Sequence, residues 1–286
     1  MQLSVAMATR NADRFVAEAI ASVHAAAAAA NVSCEILLAD GSSEDDTVAI
    51  ASALPRVRVV SREDGGLYDG MNRALDAALG EHVMIVNADD LLLEESLGPA
   101  LAALAGAPDR GFLSGDMLFG SSRADAAAAH NQRPLSVEGA FWGIPAINAR
   151  LFRRDFLNRI GRFRTDLGLG ADRDLLARIA DTGGPGVHFA LPLYFYRVHQ
   201  GSSTIAGDRD ARLRVYRADM QMAAAYLAEP DGDLEFIAHA RAKSAVAALK
   251  ARILGSRREP HCRTVLADLA GGAVLSRRWR GRMAGY

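Results

Sequence analysis

Residues 82–90, HVMIVNADD, run the apolar side chains Val83, Met84, Ile85 and Val86 straight into Asn87, Asp89 and Asp90. Such a run reads as a strand buried on both faces, with the polar cluster delivered at its carboxyl edge. Carboxylates at an edge of this kind suit a hard divalent cation that also takes phosphate oxygens as ligands. A solvated turn is the alternative for the NADD tetrapeptide alone, since turns favour Asn and Asp.

A repeated strand and helix pattern must position that cluster. Leu3–Ala8 reads as a first strand, and Asn11 or Asp13 can cap a helix whose buried stripe is Phe15, Ala19, Ile20 and Val23. Cys34–Ala39 is a second strand ending at Asp40, and Asp45-Asp46-Thr47 opens a helix through Ala53 with acids at its positive end. Val57–Val60 is a third strand, followed by a helix through Met71, Ala74, Leu75 and Ala78 that Gly80 stops. Strands separated by helices of this length imply a largely parallel sheet with right-handed crossovers. Ligands bind beyond the carboxyl ends of such strands, so Thr9, Asn11, Asp40, Asp64 and Asp89 are expected on one rim.

The 286 residues, half of them hydrophobic, suffice for one large core or a core plus an appendage. No apolar run approaches the roughly 20 residues of a bilayer span, and the N-terminus lacks a secretory pattern, which predicts a cytoplasmic protein. Cys34 and Cys262 lie far apart without metal-like spacing and read as reduced thiols. A formal net charge of -1 gives no case for a nucleic-acid partner. The charge is uneven, however: from Lys250 to Tyr286 one Lys and eight Arg face only Glu259 and Asp268. Basic residues around Trp279, beside apolar positions such as Val265, Leu266 and Leu269, suit an anionic membrane surface. A solvated tail or a contact with a second copy of the chain stays open for the same segment.

Taken in order, several segments resemble the inverting family 2 glycosyltransferases of the GT-A fold, of the bacterial polysaccharide-building type. The first strand leading to Thr9-Arg10-Asn11 resembles the family's opening. ILLADGSSEDDT (36–47), EDGGLYDGMNRAL (63–75) and VNADD (86–90) resemble its Asp-Gly-Ser segment, its glycine-rich helix entry and its Asp-x-Asp motif. GADRDLLAR (170–178) looks like its acidic catalytic motif, and YRVHQGSST (196–204) is similar to its His-bearing loop. The ordered set covers roughly residues 1–205 and is far more specific than any one piece.

The resemblance implies an α/β fold with a GT-A-like, mostly parallel nucleotide-binding sheet flanked by helices. Residues 1–205 would form the transferase domain, with a donor half at about 1–118 and an acceptor half at about 119–205. Residues 206–286 would form a helical C-terminal extension. Thr9, Asn11, Asp40, Asp64, Gly65, Asn87, Ala88 and Asp89 would then line the nucleotide-sugar donor, with Asp40 accepting the imide hydrogen of uracil. Gly65 and Gly66 let the backbone approach a ligand closely. Asp89 and His199 would hold Mn²⁺ or Mg²⁺ across the donor diphosphate, imidazole favouring Mn²⁺. Asp172 would be the base for the acceptor hydroxyl, with Asp174 as the structural alternative.

Three positions depart from the family's pattern. Asn87 stands where the first acid of Asp-x-Asp is expected, Ala171 stands for a Glu before Asp172, and Ile147-Asn148 replaces a His-Gln pair. Residues 120–134 read as a mobile connection, and Phe141 and Trp142 as either sugar-stacking or core side chains. Asn72 and Arg73 are weaker site candidates on a helix whose other residues read as core. A dehydrogenase is excluded because no Gly-x-Gly-x-x-Gly follows the first strand, and a pyrophosphorylase because no Gly- and Lys-rich phosphate loop does. The function implied is transfer of a sugar from a UDP-linked donor to a glycan or lipid-linked acceptor in surface polysaccharide assembly, at the inner face of the plasma membrane. A noncatalytic nucleotide-sugar-binding module is the alternative.

Overall fold

A computed structural model describes residues 1–129, 135–142, 146–183, 186–199, 209–228 and 234–253. Its chain divides into two compact units, Met1–Asp166 with Ala171–Ala206, and Leu167–Gly170 with Gly207–Tyr286.

The first unit is an α/β sheet structure. Strands β1 (Leu3–Thr9), β2 (Cys34–Asp40), β3 (Val57–Ser61) and β4 (His82–Ile85) alternate with helices α1 (Val16–Ala29), α2 (Thr47–Ser52) and α3 (Leu67–Asp76). Beyond them come β5 (Leu91–Leu92), α4 (Glu94–Ala105), β6 (Phe112–Gly120), β7 (Ala127–Ala129), α5 (Val137–Trp142), β8 (Arg150–Arg153) and α6 (Arg154–Ile160). Helix α7 (Ala171–Gly183) and β9 (Val187–Arg197) complete it. The sheet order is β3-β2-β1-β4-β8-β6-β9-β5, with β7 on β6. The long ladders, β1 on β2 and β4, β2 on β3, and β6 on β9, are parallel, while β8, β5 and β7 pair antiparallel.

β1 is buried at every position, which is why it reads as a mainly apolar run rather than an alternating one, its buried Ser4 hydroxyl donating to Glu35. One core holds Leu3, Val5, Met7, Ile20, Val23, Ile36, Leu38, Met84, Val86 and Leu97. The consequence for function is positional. In register, Thr9 lies beside Asp40 and Asp40 beside Ser61, so three strands end on one edge.

Several local expectations are corrected. Neither Asn11 nor Asp13 caps α1: the cap position is Phe15, without a side-chain bond. Asn11 instead turns the chain at φ 52°, and its Oδ1 accepts the Glu44 N–H. Phe15 lies outside the helix and is only partly buried. Helix α3 stops at Asp76, short of Gly80, and Gly80 serves close approach, since a Cβ there would sit 2.5 Å from Ser4 N. Within 120–134, residues 127–129 form β7 rather than a loose connection, after a turn in which Asp125 accepts from the Ser121 and Ser122 hydroxyls at 2.7 Å each. Residues 130–134 of that stretch lie outside the described residues.

In the second unit, α8 (Arg209–Leu227) and α9 (Leu234–Ile253) pack together through Tyr216, Met220, Ala247 and Ala248. Lys243 pairs with the buried Asp219 at 3.5 Å. Among the described residues no helix is long and apolar enough to cross a membrane. The basic segment beyond Ile253, Cys262 included, lies outside the described residues, whereas Cys34 is a free, buried thiol that burial pushes up to about 12.

Candidate active site

The loops that follow β1 and β2 are stitched into one frame. The N–H groups of Asn11, Ala12 and Asp13 donate to Ser43 Oγ (2.8 Å), Thr47 Oγ1 (2.7 Å) and Asp45 Oδ2 (3.1 Å). Asp45 in turn accepts from the Thr47 N–H and hydroxyl at 3.0 and 2.5 Å. Backbone donors answered by side chains of the neighbouring loop fix the edge without any helix cap.

Asp40 sits fully buried in that frame. Burial opposes its charge, yet hydrogen bonds from Ser43 and Ser61 prevail and hold its carboxyl below the usual range. The Ser61 hydroxyl donates at 2.6 Å, the Ser43 N–H at 3.0 Å, and the Ser43 hydroxyl to the other oxygen. The Ser42 backbone N–H adds a further stabilising contact. Thr9, its ladder neighbour, carries a buried hydroxyl without a hydrogen-bond partner.

Asp64 closes the same edge from the loop before α3. It accepts from the Gly66 N–H and from Arg73 Nη2, both at 2.9 Å. Its carboxylate fills the space that a side chain at Gly41 would need, 3.0 Å from an added Cβ. Gly66, at φ 112°, adopts a conformation that L side chains rarely take, which lets the loop turn into α3. Gly65 donates to Asp69 Oδ2 at 3.2 Å.

At the end of β4 the two adjacent aspartates diverge. Asp90 turns inward and accepts from Tyr194 Oη (2.7 Å), Asn87 Nδ2 (3.0 Å) and the Arg197 N–H (2.8 Å). Burial, then the neighbouring Asp89 charge, push its carboxyl up to about 7. Tyr194 Oη also accepts from the Asn87 N–H and from Asn148 Nδ2, so Asn148 braces β4 from within. Ala88 is buried beneath the turn.

Asp89 faces outward, its side chain 34% exposed, and its Oδ2 lies 3.0 Å from His199 Nε2. Arg197 locks the strand end that carries His199: its Nε donates to Asp89 O at 2.9 Å and its Nη2 to Glu18 at 2.7 Å. Phe15 packs its ring 4.8 Å from the imidazole and lies under the Arg197 guanidinium. Asp89 and His199 thus meet, while Asn87 donates through its Nδ2 to Asp90. Among the described residues no cluster of three or more His, Cys, Asp or Glu side chains could hold a metal.

Helix α7 separates the other two aspartates. Asp174 is buried and bound by Arg178 at 2.7 and 3.0 Å; Arg178 also donates to the carbonyls of Ile160 and Arg162. Asp172 is only partly buried, yet its Oδ1 is shielded and without a hydrogen-bond partner. Burial pushes its carboxyl up to about 6, against the pull of the Tyr68 hydroxyl and of Arg173. Phe141 is wholly core and Trp142 is 39% exposed. Asn72 clamps the Phe163 main chain on both sides, at 2.9 and 3.0 Å.

Reading residue types alone missed Tyr68, Tyr194, Arg197 and Phe15. Only Tyr68 carried a usable signal, as the aromatic in the first turn after Gly65-Gly66.

In fold, the chain is similar to Staphylococcus aureus TarS 1-349 in complex with UDP-GlcNAc, at a TM-score of 0.65 and 19% identity over 91% of this chain and 75% of that one. It is also similar to the mannosyltransferase PcManGT from Pyrobaculum calidifontis in complex with GDP-Man and Mn²⁺, at 0.60 and 22% over 99% and 83%. In sequence it is 29% identical over 181 residues to the uncharacterized protein y4gI of Sinorhizobium fredii, over 59% of this chain and 20% of that protein. It is 38% identical over 77 residues to a PGL/p-HBAD biosynthesis glycosyltransferase of Mycobacterium bovis, over 25% of this chain and 30% of that protein. The chain thus spans less than a third of the length of these curated relatives. Residues 4–161 match the family model "Glycosyl transferase family 2", which ends before Asp172 and His199. More than half of the chain lies within that match, and the chain belongs to glycosyl transferase family 2.

Proposed function

We propose that the chain is an inverting, metal-dependent glycosyltransferase that moves a sugar from a UDP-linked donor to a glycan or lipid-linked acceptor in surface polysaccharide assembly. The observation that carries this reading is Asp172: a carboxyl raised to about 6, with a shielded oxygen that no protein group satisfies. A binding module has no use for such a group, whereas a general base needs a carboxylate poised near the working pH.

The donor set at the β4 edge fits a divalent cation. Asp89 and His199, 3.0 Å apart, offer one carboxylate oxygen and one imidazole nitrogen. Cations of this class are held by one or two protein ligands plus substrate phosphates, and the mixed O and N set favours Mn²⁺. When bound there, the ion supplies charge neutralisation for the diphosphate leaving group. The UDP-GlcNAc bound to TarS and the GDP-Man and Mn²⁺ bound to PcManGT support a nucleotide-sugar donor and a metal.

The chain's own residues perform the rest. The frame of Thr9, Asn11, Asp40, Asp64 and Gly65 seats the nucleotide at the carboxyl edge of β1 to β3. Asp172 takes the proton of the acceptor hydroxyl as its oxygen bonds to the anomeric carbon. The bond from that carbon to the donor phosphate oxygen breaks on the opposite face, and the nucleoside diphosphate leaves with the electron pair. Attack from the face opposite the leaving group inverts the sugar. The lipid-linked acceptor and a place at the inner membrane surface rest on the basic composition of residues 250–286 alone.

Incubation with a panel of UDP- and GDP-sugars, with Mn²⁺ or Mg²⁺, tests the reading through nucleoside diphosphate release. Release with at least one donor, lost on chelation and in Asp172→Asn, is the expected result. Donor binding without release under every condition returns the noncatalytic module.

A further inference from the structure

Helix α1 opens on Phe15 at a position where Ser, Thr, Asn or Asp would cap it. The main chain there is nevertheless pinned. The Phe15 N–H donates to Ala12 O at 2.9 Å, the Phe15 carbonyl accepts from the Ala19 N–H at 3.0 Å, and the Ala12 N–H donates to Thr47 Oγ1 at 2.7 Å. On this fixed stem the ring is only partly buried. It lies against the His199 imidazole, with centroids 4.8 Å apart and planes tilted by 43°, and the guanidinium carbons of Arg197 and Arg14 are 5.1 and 4.9 Å from its centre.

Arg197 reaches the same place from the end of β9. Its Nε donates to the Asp89 carbonyl at 2.9 Å, its Nη2 to Glu18 at 2.7 Å, and its main-chain N–H to Asp90 at 2.8 Å. Glu18 follows Phe15 by three residues, a spacing that makes the two neighbours on the helix surface. The start of α1 and the end of β9 are therefore joined around the imidazole by one ring and one guanidinium.

We propose that Phe15 is the positioning residue of His199, with Arg197 as its brace: the ring holds the imidazole so that Nε2 stays beside Asp89 Oδ2, 3.0 Å away. The inference deepens the reading of Asp89 and His199 as ligands of the divalent cation and rests on it. An imidazole hangs on two single bonds, and the second of these torsions is broad. The contact at Nε2 fixes one atom and leaves the ring free to pivot about it, whereas an aromatic ring packed beside the imidazole takes up that freedom. Two ligands held in one arrangement beforehand bind an ion more tightly than two that the ion must order. Among the described residues no third His, Cys, Asp or Glu joins them, so little else can make up for a loose imidazole. Packing alone is a weak account of Phe15, because the position forgoes a capping bond and still leaves the ring partly exposed.

Phe15→Leu keeps an apolar side chain and removes the ring. The measurement is the Mn²⁺ concentration at which the affinity of the full chain for UDP, read by calorimetry, reaches half of its metal-induced rise. It is made for wild type, Phe15→Leu, His199→Ala and the double variant. Phe15→Leu is expected to raise that concentration about tenfold, as the loss of groups that orient a metal ligand does. In the His199→Ala background it should raise it no further, because both changes act through one ligand. Phe15→Tyr, which keeps the ring, should respond as wild type does. An unmoved Mn²⁺ requirement in Phe15→Leu, or an equal rise in both backgrounds, overturns the inference. If Phe15→Leu does not fold, Arg197→Lys takes its place in the same cycle: it keeps the charge but removes the Nε–H on the Asp89 carbonyl and the planar group over Phe15, and the same two outcomes overturn the inference. Should Mn²⁺ leave UDP affinity unchanged, or His199→Ala respond as wild type does, the ligand reading fails and the inference falls with it. A weakened His199→Ala beside an unchanged Phe15→Leu keeps the ligand reading and overturns the positioning alone.

Discussion

Asp172→Asn should trade activity for stability, and the trade should depend on pH. Burial holds the folded carboxyl at about 6 against an ordinary 3.8. At 1.36 kcal/mol per pH unit, that gap costs the native state about 3 kcal/mol once the group is ionised. Water at the exposed side of Asp172 screens part of this and leaves about 1–3 kcal/mol. The sign follows from where the proton sits. Below pH 3.8 the carboxyl is protonated both folded and unfolded, and there is no penalty. Between 3.8 and 6 the unfolded chain gives up the proton while the native state keeps it, so stability falls as pH rises, and above 6 the loss is complete. Asn is neutral throughout and nearly isosteric. The variant should match wild type near pH 4 and melt higher at pH 7 and above, by about 2–4 °C per kcal/mol for a unit of this size. Transfer should fall by about 10² to 10⁴. Melting curves from pH 4 to 8, set beside diphosphate release, measure both. A difference in melting that does not change with pH, or a variant less stable at pH 7, refutes the burial argument.

Metal dependence should follow the two outward ligands: Asp89→Ala and His199→Ala each raise the Mn²⁺ needed for half-maximal release, while Asn87→Ala, which removes only a neutral amide and a weaker ligand, raises it less. Full release after exhaustive chelation would remove the metal from the scheme. Asp174→Ala leaves Arg178 without its carboxylate and should destabilise by about 3 kcal/mol, as broken buried pairs do, which denaturant titration reads directly; a loss under 1 kcal/mol would show that the pair carries little. Gly41→Ala sets a Cβ 3.0 Å from Asp64 Oδ2 and should weaken nucleotide binding in calorimetry with little change in melting temperature. Unchanged affinity would free Asp64 from a donor role.

The parallel half of the fold was legible because it rests on periodicity. Leu3–Thr9 and His82–Ile85 are buried at every position, and continuous apolar runs between helical patterns have few other meanings. The antiparallel members were not legible. β5 is two leucines whose strand state comes from Phe195 and Tyr194 across the ladder, and β7 is three alanines that pair with Met117–Phe119 through backbone alone. Neither stretch has a side-chain pattern of its own, so its state is decided by a partner more than 100 residues away for β5 and about ten residues away for β7. The cap of α1 failed for a related reason: Asn11 has the right chemistry for a cap, but Glu44 from the next loop offers its N–H first.

At the site, residue types announced which groups can ionise, and only packing decided what each one does. Asp89 and Asp90 are adjacent and chemically identical, yet one looks out toward His199 and the other is consumed by Tyr194, Asn87 and Arg197. The same holds for Asp172 and Asp174, two apart on α7, where Arg178 neutralises the second and burial perturbs the first. Tyr194 and the Arg197 main chain sort the first pair, and Arg178, one turn along α7, sorts the second. Tyr194 follows Asp90 by more than 100 residues, so spacing could not link it to its acid. Acidic doublets in this chain are therefore divided between folding and chemistry by their partners. Tyr194 and Arg197, which sequence overlooked, are two of those partners.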